Sequence, residues 1–440
     1  MSNAPVTHRR VFAIAAPIML SNVSTPLIGV VDTGVVGQLP DPAYIGGVAI
    51  GALIFTFLLW AFGFLRMGTT GLTAQAVGAN DVAEVRAGLT RALLIAAAAG
   101  AVLIVAQRPL RELAFALLDG SAQVEGLARS YFDIRIWSAP AALANYALLG
   151  WFIGRGRAGV ALALQLVLNL TNMGLDALFV LHLDWGVEGV AWGTLAAEGI
   201  ACVVGLAVAS VHLADLGRHG QRARVFDRAQ LRKTLAINAD IMVRSLALLF
   251  VFVFFTAEGA RRGDVVLAAN SILMHFISVS AFFLDGLAFA TEALVGTAVG
   301  ARDPHELSRA IRLTTLWAAA VAALASVVLA VLGPSLIDVL TIAPEAREAA
   351  REYLPWAAGG PIVGVWCFQL DGIFIGATRG PEMRNAMLAS AVIFLAGWWL
   401  LLPWHNHGLW AALYVHYAAR TGTMAYYYPR IARSAAAAMA

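Results

Sequence analysis

The sequence predicts an all-α integral membrane protein: twelve transmembrane helices in two six-helix bundles, related by a pseudo-two-fold axis along the membrane normal. Three observations support this reading. Of 440 residues, 60% are apolar and 13% charged, a balance that soluble globular chains of this size do not show. About twelve windows, from 10–38 to 407–428, stay apolar over the length needed to cross a hydrocarbon core. The chain also repeats itself. Ala76-Val77-Gly78-Ala79 recurs as Ala298-Val299-Gly300-Ala301, a shift of 222 positions. The same shift takes Asp81 to Asp303, Glu84 to Glu306, and Gly150, Phe152, Ile153 and Gly154 to Gly372, Phe374, Ile375 and Gly376. Six spans per repeat is an even number, so both halves keep one orientation in the membrane.

Taken in order, the first span (10–38) follows a short basic segment and no small-residue cleavage site, so it is expected to be retained rather than removed as a signal peptide. The second span (44–76) and the eighth (265–298) stop at Gly78 and Gly300, where glycine suits a left-handed cap. The third (88–107) and ninth (308–333) are nearly free of polar residues and are expected to face lipid. Residues 108–124, RPLRELAFALLDGSAQV, read as a short amphipathic surface helix, echoed by 334–350. Domain boundaries follow from the repeat: an N-terminal lobe over 1–216, a hydrophilic cytoplasmic linker over 217–231, and a C-terminal lobe over 232–440.

Charge placement orients the chain. With the N-terminus in the cytoplasm, most of the 30 Lys and Arg residues fall in cytoplasmic loops, so the positive-inside rule puts both termini there. The basic run from Arg218 to Lys233 is read as a loop facing anionic lipid, not as a nucleic-acid surface. Cys202 and Cys367 sit in apolar helices, and His405 and His407 are too few for a metal site, so neither a metal nor a cofactor is expected.

The candidate functional residues are those that are costly to keep in lipid. Asp32 lies inside the first span, where a carboxylate costs on the order of 3 kcal/mol by insertion scales. Pro17 and Pro26 interrupt the backbone bonding of the same helix and invite a bend. In the fifth span, Asn169, Asn172 and Asp176 fall at i, i+3 and i+7, a single polar stripe. Asn145 of the fourth span is a further candidate. The alternative is amide hydrogen bonding between helices, but the repeat argues against it. The shift of 222 takes Asp32 to Phe254, Asn172 to Phe394 and Asp176 to Trp398, so the cluster exists in the first half alone. Other intramembrane charges are Arg66, Asp240, Arg244, Asp285, Glu292 and Asp371. They read either as a polar network of the C-terminal lobe or as the wall of a substrate cavity, with Asp240 and Arg244 placed to pair at i, i+4.

With these residues in view, the chain resembles the multidrug and toxic compound extrusion (MATE) family over essentially its whole length. The resemblance rests on Val31-Asp32-Thr33 and Gly37 in the first span. The segments LRMGTTGLTAQAVGA (65–79), NADIMVR (238–244), DGLAFATEALVG (285–296) and DGIFIGATRG (371–380) are similar to the DinF-like bacterial branch. Its first-helix aspartate and the proline fifteen positions earlier match Asp32 and Pro17, and its fifth-helix asparagine and aspartate match Asn172 and Asp176. The other well-known branch places its coupling acids mainly in the second lobe; the glutamate of its seventh helix has no clear match here.

The resemblance implies a V of two lobes and secondary active efflux of amphipathic or cationic organic compounds by alternating access, in exchange for H⁺ or Na⁺ bound at Asp32 and Asp176. It further implies a multi-pass protein of the bacterial cytoplasmic membrane, and the expected state is a monomer among lipids with small organic molecules as partners. A lipid-linked precursor flippase of the same superfamily is the alternative; the mostly acidic intramembrane charges argue against a pyrophosphate cavity. An enzyme is not expected, because no stretch spaces two acids to hold Mg²⁺ and pyrophosphate.

Overall fold

The computed structural model describes residues 5–118, 121–214 and 224–437, and these are helical almost throughout. The order in the first half is α1 (His8–Val36), α2 (Ala43–Ala61), α3 (Phe64–Gly78), α4 (Val82–Val105), α5 (Gln107–Leu117), α6 (Ala122–Arg135), α7 (Ala139–Gly154), α8 (Ala158–Ala177) and α9 (Gly186–Ala214). The second half continues with α10 (Arg228–Ala260), α11 (Asp264–Gly300), α12 (Pro304–Leu340), α13 (Pro344–Gly376), α14 (Gly380–Leu400) and α15 (His405–Ala437). Among the described residues, 11 segments are long and apolar enough to cross a membrane, with α2 joined to α3 and α6 joined to α7. The last helix, α15, is long enough at 33 residues but is not one of those 11. His407, His416, Arg420 and Arg430 reduce its apolarity, so the twelfth span is less apolar than expected. Large apolar side chains such as Val102, Leu206, Leu324 and Val331 stay exposed, as they do on a surface whose solvent is lipid.

The repeat holds at the level of element ends. Asp81 caps α4 by accepting the Glu84 N–H at 3.1 Å, and Asp303 caps α12 by accepting the Glu306 N–H at 3.0 Å. The residue before each cap is left-handed, with φ 53° at Asn80 and 55° at Arg302. Gly156 and Thr378, also related by the shift, have φ 70° and 54°.

Gly78 and Gly300 therefore do not supply the left-handed caps; they permit a close crossing. A Cβ on Gly78 would overlap the Thr297 carbonyl, and one on Gly300 would overlap that of Gln75. The ends of α3 and α11 approach backbone to backbone, as small residues allow in membrane helices. Beside this crossing Gln75 Nε2 donates to the Gly376 carbonyl at the end of α13, at 3.0 Å.

The amphipathic surface helix is present as α5, which opens with Pro109 in its first turn, where a missing N–H costs nothing. Its echo is not a separate element: α12 runs unbroken through Pro334 to Leu340. In the predicted linker 217–231, residues up to 223 lie outside the described set. The described part already holds the start of α10, because Asp227 Oδ1 accepts the Ala229 and Gln230 N–H groups at 2.8 and 3.0 Å and so caps the helix at Arg228.

Two compact units result. One draws its described residues from Met1–Met19, Ala74–Asn80 and Leu235–Ala440, the other from Leu20–Thr73 and Asp81–Thr234. The change of unit along α1 falls between Pro17 and Pro26. Within the first unit, Phe255, Leu273, Leu354, Phe394 and Trp410 belong to one buried core. The Phe255 and Trp410 rings meet edge to face at 5.0 Å. Polar groups there are matched: Asn270 and Asn406 exchange amide hydrogen bonds of 2.9 Å, and Trp410 Nε1 donates to Asn270 Oδ1 at 2.9 Å.

Candidate functional site

The unit containing Leu20–Thr73 and Asp81–Thr234 holds the expected acid cluster. Asp176 is fully buried, Asp32 is 8% exposed, and Asn169 and Asn172 are 1% and 2% exposed. The carboxyls of Asp32 and Asp176 lie within hydrogen-bonding reach of one another, with Asn172 beside Asp176. By strict geometry four buried oxygens here find no donor among the described residues: Asp32 Oδ1, both Asp176 oxygens and Asn172 Oδ1. An unmatched buried acceptor is costly, and four from three side chains make an acceptor-rich cluster.

Local structure explains how these groups converge. Asn172 Nδ2 donates to Thr194 Oγ1 at 3.1 Å, which ties α8 to α9. Asn169 has a different task. It donates to Ser24 Oγ at 2.8 Å and accepts from Gln165 at 2.8 Å, so it ties α8 to α1. The Ser24 and Thr25 hydroxyls both return to the Ser21 carbonyl, at 2.7 and 3.3 Å. This back-bonding favours bending and lies between Pro17 and Pro26. Just past Asp176, residues Leu178–His182 wind as a π-helix, a form common beside functional groups. Gly193 of α9 faces Asp176 so closely that a Cβ would overlap Oδ1.

Asn145 is not bound to the acid pair. Its Nδ2 donates to Glu198 Oε2 at 2.7 Å and to the Glu198 carbonyl at 3.1 Å. Sequence reasoning passed over Arg135, the last residue of α6. Its charge acts on Asp32, Asp176 and Glu198. The guanidinium donates to the Tyr131 hydroxyl and lies 5.0 Å from the Phe55 ring centroid. Its signal was available: an arginine deep in an apolar span is functional by default. Gly193 and Thr194 left no comparable signal.

The charges of the second half form a separate group with partners other than those expected. Asp240 pairs with Arg384 at 2.6 Å, not with Arg244. Arg244 instead bonds Asp371, and so does Arg420, both through Oδ2. The i, i+4 spacing brings Asp240 and Arg244 onto one face of α10, but α14 supplies the guanidinium that Asp240 pairs with and α13 the carboxylate that Arg244 pairs with. Asp285 lies near enough to act on Arg244, and Glu292 is buried in α11. Arg66 does not join this group: it lies in the other unit, where its charge acts on Tyr146.

The chain is similar to known proteins over most of its length. The MatE family profile matches residues 17–178 and 241–400. The chain is 42% identical over 415 residues to DNA damage-inducible protein F of Escherichia coli K12, covering 94% of this chain and 90% of that protein. It is 25% identical over 444 residues to the probable multidrug resistance protein NorM of Rhodopseudomonas palustris, covering 97% and 92%. Among solved structures, an outward-facing multidrug resistance MATE transporter of the MOP superfamily superposes with TM-score 0.87 at 16% identity, over 97% of this chain and 96% of that one. A MATE structure in a bent conformation gives TM-score 0.88 at 17% identity over 98% and 97%. These two establish the shared fold.

Proposed function

Because this chain belongs to the MatE family, we propose that it is a secondary active exporter rather than an enzyme, moving amphipathic or cationic organic compounds outward in exchange for H⁺ or Na⁺. The Asp32–Asp176 pair is its coupling site. One observation supports this above the others: two buried carboxyls, Asp32 and Asp176, lie within reach of one another, and four buried oxygens on Asp32, Asp176 and Asn172 find no donor in strict geometry among the described residues. A proton or Na⁺ bound there neutralises the pair; loss of the cation restores repulsion between two carboxylates held out of water. Alternating access then follows from a two-state α1, straight or bent between Pro17 and Pro26, whose equilibrium the bound cation shifts. Asp371 holds both Arg244 and Arg420, and this group is read as structural. The basic loops orient both termini to the cytoplasm, and the chain resides in the cytoplasmic membrane as a monomer among lipids.

The test is dye efflux from inverted vesicles under an imposed pH gradient or an imposed Na⁺ gradient, each alone. One of the two drives efflux in the wild type. Asp32→Asn inserts normally and loses gradient-driven efflux; full transport by that variant rejects the scheme.

A further inference from the structure

Ser24 of α1 and Asn169 of α8 meet in a hydrogen bond that is fixed at both ends. Gln165 Nε2, one turn back along α8, donates to Asn169 Oδ1 at 2.8 Å, and Asn169 Nδ2 donates to Ser24 Oγ at 2.8 Å. The Ser24 hydroxyl gives its own proton to the Ser21 carbonyl at 2.7 Å, so toward Asn169 it is an acceptor. Both residues belong to the unit of Leu20–Thr73 and Asp81–Thr234. Helix α8 is also held by α9, through the Asn172–Thr194 bond of 3.1 Å and the close approach of Gly193 to Asp176. The facing stretch of α1 is held less. Its Val23, Leu27 and Val30 are 40%, 52% and 67% exposed, and Pro26 removes a backbone donor from it. As the first and fifth spans, α1 and α8 run in the same direction. Asp32 stands eight residues beyond Ser24, and Asp176 seven beyond Asn169, about 11 Å along each helix. The acid pair and the Ser24–Asn169 contact are thus two rungs between the same two helices, one charged and one neutral.

We propose that the Ser24–Asn169 contact is a pivot: a neutral rung that keeps α1 against α8 whatever the charge of the acid pair, so that repulsion within the empty pair bends α1 instead of parting it from α8. The inference rests on the coupling role given above to Asp32 and Asp176. Two carboxylates held out of water repel one another, and the pivot stops them from moving apart. Binding a cation is then the way left to relieve the repulsion, so the pivot tightens cation binding without touching the cation. Ser24 and Asn169 are positioning residues. Asn169 differs in this from Asn172, whose Oδ1 is one of the four unmatched oxygens.

Full-length protein is reconstituted into liposomes, and the H⁺ or Na⁺ concentration giving half-maximal dye transport is measured. The variants are Ser24→Ala, Ser24→Thr, Asn169→Leu, the double Ser24→Ala with Asn169→Leu, and Asp32→Asn, beside the wild type. Ser24→Ala and Asn169→Leu each raise the half-saturating concentration about tenfold, the scale of one hydrogen bond. The double variant raises it no further, because the two residues make a single contact. Ser24→Thr, which keeps the hydroxyl, stays at the wild-type value. Arg135, whose charge acts on both acids, is unaltered in every variant. A loss of folded protein alone lowers the maximal rate and leaves half-saturation where it was. Unchanged half-saturation in Ser24→Ala, additive shifts in the double variant, or a shift in Asn169→Leu alone, as for a direct cation ligand, overturns the proposal. Should Asn169→Leu fail to fold, the two Ser24 variants decide: a rise in Ser24→Ala that Ser24→Thr lacks supports the pivot, and any other result rejects it. Gradient-driven transport surviving in Asp32→Asn instead rejects the underlying coupling site.

Discussion

Gly193 and Asp176 face each other so closely that a methyl group on the glycine would occupy the space of the carboxylate Oδ1. The carboxyl is therefore positioned by a missing side chain as much as by its own helix. Gly193→Ala is expected to push Asp176 off the acid pair and reduce coupled efflux by about tenfold or more, because the site depends on close placement. Insertion and expression should stay near wild type, since alanine is well tolerated in an apolar helix. Unchanged coupled efflux by Gly193→Ala in the vesicle assay would show that the carboxyl has room to adjust.

Asp371 accepts from two arginines that are 6% and 2% exposed, Arg244 and Arg420. Removing its charge leaves two buried cations facing one another. Asp371→Asn is expected to cost on the order of 3–5 kcal/mol of stability, seen as a lower melting temperature in detergent. Adding Arg420→Met should recover part of the loss. If Asp371→Asn melts like the wild type while efflux is abolished, the residue has a transport role and not a structural one.

The reciprocal crossing at Gly78 and Gly300 makes a third prediction. Either Gly78→Ala or Gly300→Ala places a methyl group against a backbone carbonyl that has nowhere to go. Each should cost about 1–3 kcal/mol, the range for overpacking. The double variant should cost less than the sum, since one parting of α3 from α11 relieves both overlaps. Additive losses in thermal unfolding would mean that the two contacts are independent.

Outside the spans, Asp81 accepts from Arg224 at 2.5 Å. Burial raises its carboxyl, but the hydrogen bond from Arg224 and the Glu84 N–H outweigh it and hold the group below the ordinary aspartate value. A carboxylate depressed in this way contributes its full stability above the unfolded value, about 3.9, and loses it as pH falls through its own lower one. The stability difference between wild type and Asp81→Asn should thus be flat from about pH 5 to 8 and shrink only below about pH 4. Melting curves across that range check it; a difference that fades near pH 6 contradicts the assignment.

Much of the site was legible because lipid makes charge conspicuous. Asp32 and Asp176 stand out in apolar runs, and the absence of counterparts in the second half sets them apart in the sequence itself. Partner choice was not legible. Helical spacing shows that Asp240 can reach Arg244; it says nothing of Arg384, which arrives on α14. Asn145 looked like a third amide for the acids until Glu198 proved to hold it. Arg135 escaped notice because Arg129 and Asp133, on the same short helix, make it look like a surface segment. Gly193 was unreadable in principle, since its contribution is a space defined only once α8 and α9 are packed together.

The matched left-handed residues at 80 and 302, and again at 156 and 378, carry a lesson about descent. Asparagine at the first stands opposite arginine at its counterpart, and glycine at the third opposite threonine. Torsion angles have outlasted the residues that adopt them most easily, so after the ancestral gene doubled, the turn was the inherited trait and the amino acid the variable one. Kinship between the two halves is accordingly better preserved in backbone geometry than in letters at these turns, while the buried pair of acids stands in one half alone.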